Sequence, residues 1–188
     1  MSLDYIENKT VHAIYIIPSN RIFNQDFKKA KEYTMKEVQG WYSSQLNGLT
    51  FKLSDPIVKV LHSKKNENWF IESTHHDERN AGYYNTLEEC DLHFPKIRDI
   101  NNKFAMYLDG GKDGAGLYHA CILVKKDLDG IVLEMSLQAP GQWIGGSAHE
   151  LGHPLNLKDH ENGGLMHNGQ YLFPNTWLTA DEKLKLSK

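Results

Sequence analysis

Cysteine is nearly missing from this chain: Cys90 and Cys121 are the only two in 188 residues. That excludes a scaffold stapled by several disulfides. Neither thiol has a cysteine or histidine neighbour at zinc-finger spacing, so a cysteine-based structural zinc site is excluded as well. The pair is expected either to cross-link in an oxidising compartment or to sit buried and free. No apolar run approaches the length needed to cross a bilayer, and no signal peptide is visible. The opening Met1-Ser2-Leu3 reads as an expression scar ahead of a trimmed mature domain. Basic excess is absent too: 21 Lys and Arg stand against 24 Asp and Glu, for a net charge of -3. Without a cationic field, nucleic acid is not an expected partner. There is no internal repeat and no low-complexity segment. What is present is an ordinary globular composition, 40% hydrophobic and 24% charged. The length suits one domain spanning residues 1–188 with a real core.

Residues 11–17 are β-branched and apolar and stop at Pro18, which reads as a buried strand. Residues 26–46 form a helix with Phe27, Ala30, Thr34, Val38, Trp41 and Leu46 inside, and Lys28, Lys29, Lys31 and Lys36 on a solvated face. Asn47-Gly48 ends it. Residues 50–61 are one strand interrupted at Pro56, or two short ones. Strand, helix, strand in this order is a right-handed parallel crossover. Residues 69–72 are expected as a short strand and residues 86–91 as a short helix. Residues 103–108, 117–125 and 131–136 read as three more strands, with residues 127–130 a tight turn between the last two. Pro140-Gly141 then breaks the chain before a further helix. Thr179, followed by Asp181 and Glu182, caps a C-terminal helix. Two polar clusters stand apart from these elements. His75-His76-Asp77-Glu78 groups metal-type side chains, but adjacent residues do not face one way, and a polar loop explains them. Asp109 and Asp113 among glycines suggest calcium, but a flexible connection is the plainer reading.

The most informative stretch is residues 144–160. His149 and His153 are four apart, so on a helix they lie one above the other on one face. Two imidazole nitrogens can then reach one zinc ion at about 2.0–2.1 Å. Glu150, beside the first histidine, is placed to take a proton from a metal-bound water. Ile144, Ala148, Leu151 and Leu155 form an apolar stripe facing away from the histidines, so one helix buries one side and offers the other to a metal.

His149-Glu150-x-x-His153, Asp159 six residues further on and Gly164-Leu165-Met166 beyond it resemble the metzincin metallopeptidases. The Asp159-His160 ending is similar to the snapalysin branch, small secreted bacterial peptidases. The family's glycine is Asn156 here, the non-glycine residue that best tolerates positive φ. Pro154 ends or kinks the helix near His153, which leaves His160 as an alternative third ligand to Asp159. The upstream order of elements is also the metzincin order.

The resemblance implies an α+β fold with an α/β-like N-terminal half. Its parts would be a mixed, twisted five-stranded sheet, a long backing helix, an active-site helix, a methionine turn and a C-terminal helix. It implies Zn2+ held by His149, His153 and Asp159 with one position open to water, Glu150 as general base, and Met166 as an apolar floor. Tyr171, the nearest tyrosine after the turn, has no assigned role. The implied protein is a secreted or cell-envelope monomer that hydrolyses a protein or peptide. The substrate is expected to add as a strand along the edge formed by residues 117–124, including Leu117, His119 and Cys121. Two further readings stay open: a gluzincin-type peptidase with Glu182 as third ligand, and a metal-binding protein of the same fold without turnover.

Overall fold

The computed structural model describes residues 5–72, 81–94 and 99–187. Its centre is strand β1, Thr10–Ile17, a β-branched apolar run with five consecutive buried residues at its end. Such a run has no polar face and must be covered on both sides. Helix α1, Gln25–Gln45, follows; the Asn24 side chain caps it by accepting from the amides of Asp26 and Phe27. Strand β2, Lys52–His62, then pairs parallel with β1, its register shifting on the stretch that contains Pro56. Strand β3, Asn102–Leu108, pairs parallel with the other side of β1. The sheet is completed by β4, Ala115–Leu117, and β5, Ala120–Leu123. Strand order is β2-β1-β3-β5-β4, and only β4, at the edge, runs antiparallel. This is the mixed five-stranded sheet expected from the sequence.

Four expectations about elements are corrected. Residues 117–125 are not one strand: the chain reverses at Tyr118, which has φ 29, so β4 and β5 form a short hairpin. Residues 131–136 are not a strand, and residues 127–130 are not a turn between strands. Both belong to helix α4, Lys125–Leu137. Asp127 starts it by accepting from the Val124 amide at 2.8 Å, and Leu128, Ile131 and Glu134 are buried at helical spacing. Gly130 marks a packing notch, since a β-carbon there would run into the Trp143 ring. Residues 69–72 fall on a short helix, α2, Glu67–Ile71, capped by Asn66. The helix expected at 86–91 is longer, α3, Ala81–His93. The cluster at residues 75–78 lies outside the described residues.

One face of the sheet carries α1, α4 and the site helix α5, Gln142–Gly152; the other carries α2 and α3. Cys121 packs in the first core and Cys90 in the second, both free and buried, so the sheet separates them. Lys31, expected on a solvated face, is fully buried. Its ammonium stands 3.9 Å from the Tyr15 ring centre and 4.4 Å from that of Tyr107. Desolvation drives its pKa well down, while Asp109 nearby acts in the opposite direction. The last helix, α6, Ala180–Leu186, has Thr179 and Glu182 in a reciprocal cap. No described helix is long and apolar enough to cross a membrane.

Candidate metal centre

Helix α5 begins without a capping side chain of its own. Glu134, near the end of α4, takes that role. Its two carboxylate oxygens accept from the amides of Trp143 and Ile144, each at 2.9 Å. These amides have no intrahelical partner, and a carboxylate also matches the helix dipole. Tyr42 of α1 fixes the helix from its buried side, its hydroxyl donating to the Ala148 carbonyl at 3.0 Å.

The other end closes as the sequence led one to expect. Pro154 has no amide to offer the Glu150 carbonyl, and the regular helix stops at Gly152. The chain then turns: the Asn156 amide bonds to the His153 carbonyl and the Leu157 amide to the Gly152 carbonyl, both at 2.9 Å. Asn156 sits between them at φ 74. This is a Schellman closure with asparagine in the left-handed position.

That closure turns Leu157 back towards His153, whose Nδ1 donates to the Leu157 carbonyl at 3.4 Å. His149 Nδ1 donates to the Leu165 carbonyl at 2.9 Å. A carbonyl only accepts, so each Nδ1 carries the proton and each Nε2 presents a lone pair. Asp159 Oδ1 lies 3.4 Å from His149 Nε2 and 3.7 Å from His153 Nε2. Ligand atoms bound at about 2.0–2.1 Å around a tetrahedral zinc stand roughly 3.3–3.4 Å apart. The spacing, the donor set and the outer hydrogen bonds therefore fit the ion. Among the described residues, His149, His153 and Asp159 are the one group of three metal-type side chains. Asp159 is 70% exposed, so the site opens to solvent on its side.

His160 is not part of this group. Its Nε2 pairs at 3.0 Å with Glu182, a residue 2% exposed. The other Glu182 oxygen accepts from the amide and hydroxyl of Thr179. Both candidates for an alternative third ligand are thus engaged with each other, and their pairing anchors the loop that carries Asp159. Met166 is fully buried against the last turn of α5. A β-carbon at Gly152 would stand 2.5 Å from its sulfur.

Glu150 is half-buried beside the trio. Desolvation first, then the negative charges of Asp159 and Asp127, raise its carboxyl to about 7. Burial also lowers the pKa of His153, favouring the neutral ring that a metal requires. The sheet edge meets the site at Gly116: a β-carbon there would lie 2.5 Å from the Glu150 carbonyl, 2.7 Å from His153 Cδ2 and 2.9 Å from Glu150 Oε2. Leu117 lies on this edge strand and His119 in the turn, but Cys121 does not share the edge. It sits on β5, paired with Ala105 on one side and Gly116 on the other. The expected substrate edge therefore shrinks to β4. None of Glu134, Tyr42 and Gly116 carries a short-range signal, because each acts on the site from a distant part of the chain.

Two pockets adjoin the site, one at Glu150 and one at His153. One, about 370 Å³, is lined by Gly114, Lys126, Asp127, Trp143, Glu150 and Tyr171, together with Gln142 and Gln170. The other, about 390 Å³, lies against His153, Gly116 and Leu117. A larger crevice of about 550 Å³, between Arg21, Asp109 and Lys125, holds none of the metal-type trio.

No protein-family model matches the chain, and no curated protein matches it significantly. Solved structures do. A catalytically inactive OgpA from Akkermansia muciniphila, in complex with an O-glycopeptide (glycodrosocin) substrate, superposes with a TM-score of 0.71 at 16% identity. That match covers 99% of this chain and 61% of the other. Wild-type OgpA gives 0.70 at 18% identity, with 99% and 62% covered. The chain thus spans about three fifths of these proteins and has their metzincin-like fold.

Proposed function

We propose that this chain is the catalytic domain of a zinc-dependent endopeptidase. The observation that carries the reading is the convergence of His149 Nε2, His153 Nε2 and Asp159 Oδ1 beside a half-buried Glu150, where helix α5 borders strand β4. A zinc ion held there supplies Lewis acidity to the scissile carbonyl and to a water. The rest belongs to the chain. His149 and His153 are held in one tautomer by Leu165 and Leu157. Glu150 takes a proton from the attacking water and passes it to the leaving amine. An extended peptide pairs its backbone with β4, which among the described residues has only β5 as a sheet partner. Gly116 leaves the space that lets this strand lie against Glu150 and His153.

The substrate class we propose is a peptide bearing a glycan. The pocket beside Glu150 offers two aromatic faces, Trp143 and Tyr171, with amide and charged groups around them. That combination suits the apolar faces and hydroxyls of a sugar. The bound glycopeptide of the OgpA complex supports it. The Asp159-His160 ending keeps the likeness to the snapalysin branch within this reading.

The test is hydrolysis of casein and of a matched pair of peptides, with and without an O-linked sugar, in zinc and in chelator. Zinc-dependent cleavage faster on the glycosylated member is the expected result. Zinc bound in a 1:1 ratio with no cleavage of any substrate would instead support the non-catalytic reading.

A further inference from the structure

Resting on the peptidase reading, we propose that the pocket on the His153 side is an anion-selective subsite. It takes an acidic side chain, Asp or Glu, from the substrate segment upstream of the scissile bond.

Direction comes first. Glu150 delivers the proton to the leaving amine, so the peptide downstream of the cut lies on the Glu150 side, where Gly114 and Trp143 line the pocket. The upstream segment then runs past Leu117 and His153 into the opposite pocket. Such a peptide is antiparallel to β4, the arrangement that joins β4 to β5.

The two pockets differ in charge. The downstream one has Lys126 facing two acids, Asp127 and Glu150. The upstream one is lined by Lys103, Lys158 and His119, with Ile100, Leu117 and Tyr118 as its apolar walls, and no Asp or Glu is among its described lining residues. Asp159 follows Lys158 in the chain, but its carboxylate is turned to the two ligand histidines.

Lys103 is the unusual member. It is only 5% exposed, and its ammonium donates to the Tyr118 carbonyl at 3.4 Å. Tyr118 holds that carbonyl in place from the tip of the β4–β5 hairpin, with φ 29 and its ring 81% exposed. The buried cation is therefore already positioned, and an arriving carboxylate does not have to order a long side chain there. Apolar walls lower the local dielectric and strengthen the attraction. A lysine entering the same pocket meets like charge and is rejected.

The experiment uses fluorescein-labelled extended peptides that differ only in Glu, Gln or Lys at one of the positions upstream of the cut. Binding is read by anisotropy on zinc-loaded Glu150→Gln protein, and hydrolysis on the parent. At one upstream position, Glu should bind about tenfold more tightly than Lys and about threefold more tightly than Gln, the range for a charge-assisted contact. In Lys158→Glu protein the gap should close to about twofold, and it should shrink in salt. Lys103→Met should do the same. If that variant fails to fold, the exposed Lys158 decides alone. Equal affinities at every upstream position overturn the subsite. Hydrolysis with no charge preference also overturns it and leaves the peptidase reading standing. A charge preference in binding without hydrolysis keeps the subsite and sinks the peptidase.

Discussion

Glu150 concentrates the chemistry of the site in one side chain. Replacing it with Gln keeps the shape and removes the base. Zinc binding and fold should persist in Glu150→Gln, while peptide hydrolysis falls by about 10²–10⁴-fold; activity within a few-fold of the parent would remove Glu150 from the mechanism. The same substitution has a stability signature in metal-free protein. Its carboxyl is raised to about 7 when folded, so between the unfolded value near 4.5 and that point the folded state holds a proton that the unfolded state has lost. Stability from this group is therefore greatest at low pH and falls as pH rises through that window. In chelator, the parent should lose on the order of 1–3 kcal/mol relative to Glu150→Gln between pH 5 and pH 8, measured by denaturant unfolding at each pH. Asp159 and His160 separate in another way. Asp159→Ala should strip the site of a ligand and reduce zinc affinity sharply. His160→Ala should keep all three ligands and lower affinity less than Asp159→Ala does, through loss of the Glu182 contact that anchors the Asp159 loop. Zinc competition with a chromogenic chelator reads both.

Helix α5 was legible because its evidence is local. Histidines four apart, an opposing apolar stripe, a proline that halts it and an asparagine that turns it all lie within residues 144–160, and each behaves as its chemistry predicts. The elements just upstream were less legible. Ile131 and Val132 favour strands, and Asp127 to Gly130 resembles a turn. The burial of Leu128, Ile131 and Glu134 and the seating of Trp143 on Gly130 come from packing against α5 and the sheet, so tertiary structure overrides a weak local preference. The buried Lys31 escaped notice for a similar reason: its aromatic partners are Tyr15 and Tyr107, far away in the chain. Glu134 shows how strongly α5 depends on such a remote contact. Glu134→Ala leaves two amides at the start of α5 without their acceptor. It should cost about 1–3 kcal/mol and lower Tm by several degrees, with zinc affinity falling alongside. Unchanged thermal unfolding would show that water replaces the carboxylate at no cost. Gly116→Ala tests the edge strand: with no room for a methyl group beside Glu150 and His153, activity should drop while the far-UV circular dichroism stays that of the parent.

At the level of the whole molecule, an ion that binds only the folded chain adds to its stability. Zinc held at 100 times its dissociation constant contributes about 2.7 kcal/mol. Chelation should lower Tm accordingly, and His149→Ala/His153→Ala protein should show no difference between zinc and chelator in calorimetry. The sheet divides the molecule into two cores, and the helix that carries His149 packs in the first of them through Ile144, Ala148 and Leu151. The hydrogen bonds to Leu157 and Leu165 have a further consequence, which concerns the order of assembly. The proposed ligands and the carbonyls that aim them all come from residues 149–165, so their direct contacts are of short sequence separation. The substrate edge reaches the same helix from Gly116, across more than thirty residues, and depends on the completed sheet. Contacts between distant residues form late, because their loops are slower to close. On the proposed reading, a refolding chain should therefore bind zinc before it hydrolyses peptide. In refolding from denaturant, zinc uptake should lead the return of hydrolysis, so that the proposed activity would switch on last and spare the chain's own unfolded copies.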